Sequence, residues 1–204
     1  MQVVRNIQLK LDVPEDAHSV LDETFEQFRQ AAQHVADTGW SDDPTQITDT
    51  KNTLHEQTYT AVRKQTSLQA SLVQSARNLA AAALGNCKDR ILEDGKKASK
   101  PEFRGSVVVY NGRTITYHDD HVTLATVGDR VTAELVMPED DAGTPFGEYW
   151  TDDWERKEAT LHKRDSTYYL HVAVEKQVAP ANSGDEQTEN GVVLGVDLNV
   201  DGYL

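Results

Sequence analysis

Apolar residues at odd positions open the chain. Val3, Ile7, Leu9 and Leu11 share one face, interrupted only by Arg5, and this alternation predicts a strand over residues 2–11. Pro14 then fixes a helix start, with Glu15 and Asp16 placed where the helix dipole favours acids. Ala17, Val20, Leu21, Phe25, Phe28, Ala31, Ala32 and Val35 recur at three- and four-residue steps, which makes one apolar stripe on one helix. Gly39 is expected to end that helix, and Ser41-Asp42-Asp43-Pro44 to form a loop. A second helix is predicted over residues 50–64 and a third over residues 67–92. The stripe of the third is Leu68, Leu72, Ala76, Leu79, Ala80, Ala83, Leu84, Cys87 and Ile91. Gly95 to Pro101 is expected to be a basic, flexible exit.

Beyond Pro101 the period changes from helical to alternating. Ser106–Tyr110 and Arg113–Tyr117 flank Asn111-Gly112, a pair suited to the two positive φ angles of a type I′ turn, so a hairpin is expected there. Further strands are expected at 121–126, 130–137, 158–163 and 167–175. Residues 138–153 are expected as an acidic loop, residues 177–190 as a polar linker, and a new strand begins at Val192. An isolated first strand is unstable. Residues 2–11 are therefore expected to join the sheet of residues 104–175, with the helices inserted between. The expected class is α+β. An antiparallel β-barrel-like domain takes residues 1–13 and 101–176, a helical insert takes 14–100, a linker 177–190, and the start of a further domain 191–204.

Charge changes this picture. The chain carries 34 acidic and 20 basic residues, net −14, a balance that argues against phosphate binding. The charge is uneven, however. Lys51 to Arg104 holds ten basic and five acidic residues, +5, which leaves −19 for the remainder. Arg63, Lys64, Arg77, Lys88, Arg90, Lys96, Lys97 and Lys100 are the candidate phosphate contacts of this zone. The same residues also fit a solvated helix face with local ion pairs, such as Lys88 with Asp89 and Glu93. The acidic remainder fits a halophilic protein, and an ordinary solvated acidic surface gives the same count.

The single cysteine, Cys87, excludes an intrachain disulfide and is expected in the core. No signal-peptide core and no apolar run of membrane-spanning length occur, so a soluble cytoplasmic protein with no membrane partner is expected. His55, His118, His121, His162 and His171 are scattered without ligand spacing. Trp150 and Trp154 are expected in a core or at a barrel rim, with base stacking as the alternative.

The run Val192 to Val196 is apolar and ends in Asp197. A carboxylate at the tip of a buried strand is costly unless it is exposed at the sheet end or binds a cation. The plainer alternative is an aspartate that opens a turn towards Asp201-Gly202. Gly195-Val196-Asp197-Leu198-Asn199 resembles the first motif of the RuvC-type nuclease domain in TnpB/OrfB-type proteins, the transposon-encoded RNA-guided DNA endonucleases. Residues 72–109, with Pro101-Glu102-Phe103-Arg104-Gly105-Ser106, are similar to that family's passage out of its helix, and residues 158–175 to the strand pair before its nuclease domain.

The resemblance implies that the barrel corresponds to a wedge domain and the helices to a recognition lobe. Together these would grip guide RNA and target DNA by shape and charge. It also implies that residues 191–204 begin a RuvC/RNase H-like α/β domain, with Asp197 as a catalytic ligand of Mg²⁺. The family's second acidic motif, its paired CxxC motifs and its third acidic motif have no counterpart in these 204 residues. One carboxylate does not hold two metal ions across a phosphodiester, so binding without cleavage is expected. The alternative is a non-catalytic nucleic-acid-binding or regulatory relic of a transposase.

Overall fold

The computed structural model describes residues 2–137 and 144–178. Strand β1 (Gln2–Asp12) opens the chain, and a 3-10 turn over Glu15–Ala17 leads into α1 (His18–Gly39). A second 3-10 turn at Pro44–Gln46 precedes α2 (Lys51–Gln65) and α3 (Ala70–Leu92). Strands β2 (Val107–Tyr110), β3 (Ile115–Tyr117), β4 (His121–Leu124) and β5 (Val131–Leu135) follow. A short helix, α4 (Pro145–Tyr149), comes before β6 (Glu155–Arg164) and β7 (Thr167–Gln177).

The class is α+β, as the change of period predicts. The seven strands form one sheet in the order β2-β6-β7-β1-β5-β4-β3, with every pair antiparallel. β1 lies in the middle of it. It pairs with β7 from Gln2↔Gln177 to Leu11↔Tyr168 and with β5 at Leu11↔Leu135. The first strand thus finds its partners more than a hundred residues downstream, and the three helices are an insertion between two strands of one sheet.

The Asn111-Gly112 expectation is corrected. β2 and β3 do not pair; β2 bonds β6, β3 bonds β4, and the two stand at opposite ends of the strand order. Thr114 and Ile115 donate their amides to the Asn111 carbonyl, and Gly112 does not have positive φ. The Thr114 hydroxyl and the Asn111 side chain hold this turn by bonding nearby main-chain amides, a local alternative to ladder pairing. The consequence is architectural. Tyr110 and Ile115 are five residues apart, so the two sheet ends lie within about 18 Å of each other, and a seven-stranded sheet meets that limit only by curling into a nearly closed barrel. The Tyr117 hydroxyl, donating to the Lys157 carbonyl at 2.8 Å, ties β3 back to β6 across the gap. The type I′ geometry occurs instead at Asp165 (φ 46°) and Ser166 (φ 65°), the two residues linking β6 to β7.

Side chains alternate as a half-buried sheet requires. Ile7, Leu9 and Leu11 of β1, Leu161 of β6 and Leu170, Val172 and Val174 of β7 point inward. The same buried cluster continues into Phe25 and Phe28 of α1 and Leu72 and Leu84 of α3, so sheet and helices share one core. α1 and α3 both pack on β2, which covers an edge strand that would otherwise expose unpaired main-chain groups.

Three smaller expectations change. The segment predicted as an acidic loop contains α4, with Pro145 at its first position and the Thr144 side chain accepting from the Gly147 amide. Cys87 is half-buried rather than fully in the core. β7 extends to Gln177, the first residue of the predicted linker. The rest of that linker, from residue 179 on, and residues 191–204, Asp197 among them, lie outside the described residues.

Candidate nucleic-acid interface

The eight predicted cations fall on α2, on α3 and on the segment leaving α3. Arg63 donates to the Leu68 carbonyl and so braces the connection between α2 and α3. Arg77 lies half-buried between those helices. Its Nη1 meets His55 Nδ1 at 3.1 Å and its Nη2 donates to Asn78 Oδ1 at 2.9 Å, while its Nε is buried without a partner. Burial pulls this guanidinium below its ordinary range. Lys88 reaches back across the fold to the Ile47 carbonyl (3.3 Å) and Asp49 (3.4 Å), not to Asp89 or Glu93 on its own helix. Arg90 donates through Nε to the Lys97 carbonyl at 3.1 Å.

Lys96 pairs with Asp94 at 3.2 Å and Lys100 with Asp37 at 2.8 Å. The hydrogen bond from Lys100 holds the Asp37 carboxyl below its usual value and raises the lysine. Lys64 and Lys97 are exposed, and their side chains hold no hydrogen bond or ion pair among the described residues. The local excess of +5 is therefore not all free charge, since Lys88 and Lys100 are met by Asp49 and Asp37 from outside that stretch. Nor do the cations share one face of α3. At 100° per residue, Arg77 and Lys88 stand about 20° apart around the axis, and Arg90 about 140° from Arg77.

The outer face of the sheet carries a second set of functional side chains. His162 on β6 and His171 on β7 bring their rings to 4.5 Å between centroids, tilted by 36°. They line a hollow of about 340 Å³ with Asn6, Glu158 and Thr160, among others. Nε2 of His171 is buried and has no partner. Burial, then the neighbouring His171 and Arg164, push His162 down to about 4; burial and Arg164 also lower His171. A second pair, His118 and His121, stacks at 4.1 Å in the β3–β4 hairpin, with Asp120 bonded to His121 Nδ1 at 2.6 Å.

Linear spacing hid the first pair. Once the turn at Asp165–Ser166 is located, the register of β6 and β7 follows: Thr160 opposes His171 and His162 opposes Tyr169, which makes the two histidines diagonal neighbours. Trp150 is buried in the core, with Tyr117 edge-on to it and the Arg156 guanidinium 4.3 Å from its ring centroid.

Asp197 lies outside the described residues, so no donor geometry for Mg²⁺ is on view. Among the described residues, no three His, Cys, Asp or Glu side chains converge as a ready metal cluster, and no helix is long and apolar enough to cross a membrane. No protein-family model matches the chain, and no curated protein is detectably similar to it.

Proposed function

We propose that this chain is the nucleic-acid-gripping portion of a TnpB-type RNA-guided DNA endonuclease. It engages a guide RNA and target DNA through its inserted helices and its barrel. The observation that carries this reading is the insertion of three helices between the first and second strands of one antiparallel barrel-like sheet. That is the arrangement implied by the resemblance of residues 101–106, 158–175 and 195–199. The cations that remain without carboxylate partners, Arg63, Lys64, Arg77, Arg90 and Lys97, supply the phosphate contacts. Five such contacts set a ceiling on salt sensitivity: log K for duplex falls against log salt with a slope no steeper than about −4 to −5. Asp197 is the Mg²⁺ ligand in this reading, where the ion would polarise a phosphodiester. A single carboxylate does not clamp two ions, so residues 1–204 bind and do not cut.

The test is recovery of RNA with the chain purified from its native host at high salt, followed by sequencing. A defined structured RNA is expected. The double variant Lys64→Ala/Lys97→Ala is expected to retain several-fold less of it. Recovery of no RNA, together with no mobility shift of guide-like RNA or duplex DNA, would sink the proposal. Guided cleavage by this chain, abolished by Asp197→Ala, would overturn the expectation that residues 1–204 bind and do not cut.

A further inference from the structure

Between α3 and β2 the chain is neither helix nor strand over residues 95–104, yet side chains of the helix layer fix its course. They bond its main chain at alternate residues. Arg90 Nε donates to the Lys97 carbonyl at 3.1 Å and Cys87 Sγ to the Ser99 carbonyl at 3.5 Å, both from α3. From α1, Gln33 Nε2 donates to the Pro101 carbonyl at 3.2 Å, and Gln33 Oε1 accepts from the Phe103 amide at 3.0 Å. We propose that Gln33 is a positioning residue for nucleic-acid binding: by clipping Pro101 and Phe103 to α1 it holds this segment so that Lys97 meets a phosphate backbone. The inference rests on the nucleic-acid reading above and adds to it a residue that touches no phosphate.

Anchors two residues apart lie along one edge of an extended chain, so the segment is held against rolling as well as against lifting. The clip uses both ends of a carboxamide, the NH₂ as donor and the carbonyl as acceptor, a combination that among side chains only Gln and Asn supply. Asp37 orders the clip in turn: its Oδ1 accepts from Gln33 Nε2 at 3.0 Å and pairs with Lys100 at 2.8 Å. Phe103, just past the clipped residues, packs against the core, so the clip joins the segment to the body of the fold. Lys97, at the other end, is exposed with its side chain unpaired. A lysine whose main chain is already ordered loses less entropy when it contacts a phosphate than one on a loose segment. Gln33 is uncharged, so its effect on binding runs through the placement of Lys97 and not through the field of the protein.

The full chain, Gln33→Met, Lys97→Ala and the double variant Gln33→Met/Lys97→Ala are titrated with a fluorescent RNA–DNA hybrid of arbitrary sequence, about 20 base pairs long, at salt from about 50 to 200 mM. Methionine keeps the length of glutamine and suits a helix but makes neither bond. Gln33→Met should weaken binding about three- to tenfold and flatten the slope of log K against log salt by about one phosphate contact, although the net charge is unchanged. In the Lys97→Ala background the same substitution should change neither quantity further, since two residues acting through one contact are not additive. Hydrogen exchange should show a protected Phe103 amide in the full chain that loses protection in Gln33→Met. Circular dichroism and the urea midpoint establish folding, and Gln33→Leu, which should behave as Gln33→Met does, serves if the methionine variant does not fold. If the full chain binds the hybrid and Gln33→Met keeps its affinity and slope, or its loss adds in full to that of Lys97→Ala, the positioning role falls and the nucleic-acid reading stands. An unprotected Phe103 amide in the full chain would overturn the clip itself. Absence of binding by the full chain at every salt concentration would remove the reading and this inference together.

Discussion

Helices α1 and α3 approach one another over small residues, whereas the sheet fills its interior with branched and aromatic ones. Ala31, Ala32 and Ala36 of α1 and Ala76, Ala80 and Ala81 of α3 are buried, and α1 ends at Gly39, where an added Cβ would lie 2.6 Å from both Leu84 Cδ1 and the Thr48 carbonyl oxygen. The sheet instead buries Tyr110, Leu161, Tyr168 and Leu170 completely or nearly so. Both regions belong to one core, yet they differ in what they tolerate. Where backbones approach closely there is no slack for an extra atom, and where large side chains meet across a curved sheet the loss of atoms leaves a void. The helix layer is therefore sensitive to enlargement and the barrel to truncation.

Substitutions of opposite sign break the comparison most directly. Leu161→Ala removes a fully buried side chain from β6 and is expected to cost about 2–5 kcal/mol, measured by urea denaturation. Gly39→Ala adds one carbon against a main-chain oxygen that cannot rotate away, and is expected to cost about 1–3 kcal/mol. A neutral Gly39→Ala would show that the packing around the end of α1 has slack and remove the distinction. The same enlargement at exposed Ala82 of α3, to serine, should fall within about 0.5 kcal/mol.

The two regions were also unequally legible in the sequence. The helices announce themselves locally: the stripes that place α1 and α3 lie within or beside each segment, and the observed limits of all three helices differ from the expected ones by a few residues at most. The sheet depends on partners far away in the chain. The alternation at Val107–Tyr110 and Ile115–Tyr117 identifies two strands but not which strands they bond, and Asn111-Gly112 suggested a pairing that main-chain bonds at Asn111 replace. The membership of β1 in the downstream sheet was legible because a lone strand has nowhere else to pair. Of the candidate site, the sequence identified the cations but not their fate. Lys88 and Lys100 meet Asp49 and Asp37, 39 and 63 residues away, and no helical spacing rule foresees those partners. The His162–His171 pair was hidden for the same reason, since it arises from strand register.

Truncation should be harmless in the barrel only where the deleted atom bonds nothing. The Tyr110 hydroxyl is fully buried without a partner, and burial raises its pKa far above the usual range. Tyr110→Phe removes an unsatisfied polar atom while keeping the ring, so a gain of about 0.5–1 kcal/mol is expected in the urea midpoint. A loss of that size would mean that the hydroxyl is bonded in solution, and that the barrel penalises every deletion alike.

The outer face of the barrel brings a smaller effect of a different kind, because there the cost is electrostatic and not one of packing. Folding lowers His162 from an ordinary value near 6.5 to about 4, through burial first and then the charges of His171 and Arg164. Above pH 6.5 the ring is neutral in both states and contributes nothing to the pH dependence. Between pH 6.5 and 4 the unfolded chain holds the proton and the native one does not, so stability falls as pH falls, until the native ring protonates too. His162 is only partly buried, and solvent screening holds the loss to about 1 kcal/mol or less. His162→Gln should flatten the fall in urea midpoint between pH 6.5 and 4.5 while leaving the midpoint at pH 8 nearly unchanged. An equal slope in the variant would assign the acid sensitivity to carboxylates such as Asp37, whose lowered pKa acts in the same direction but only as pH drops below its ordinary range, near 4. The two sources are therefore separable by where the fall begins.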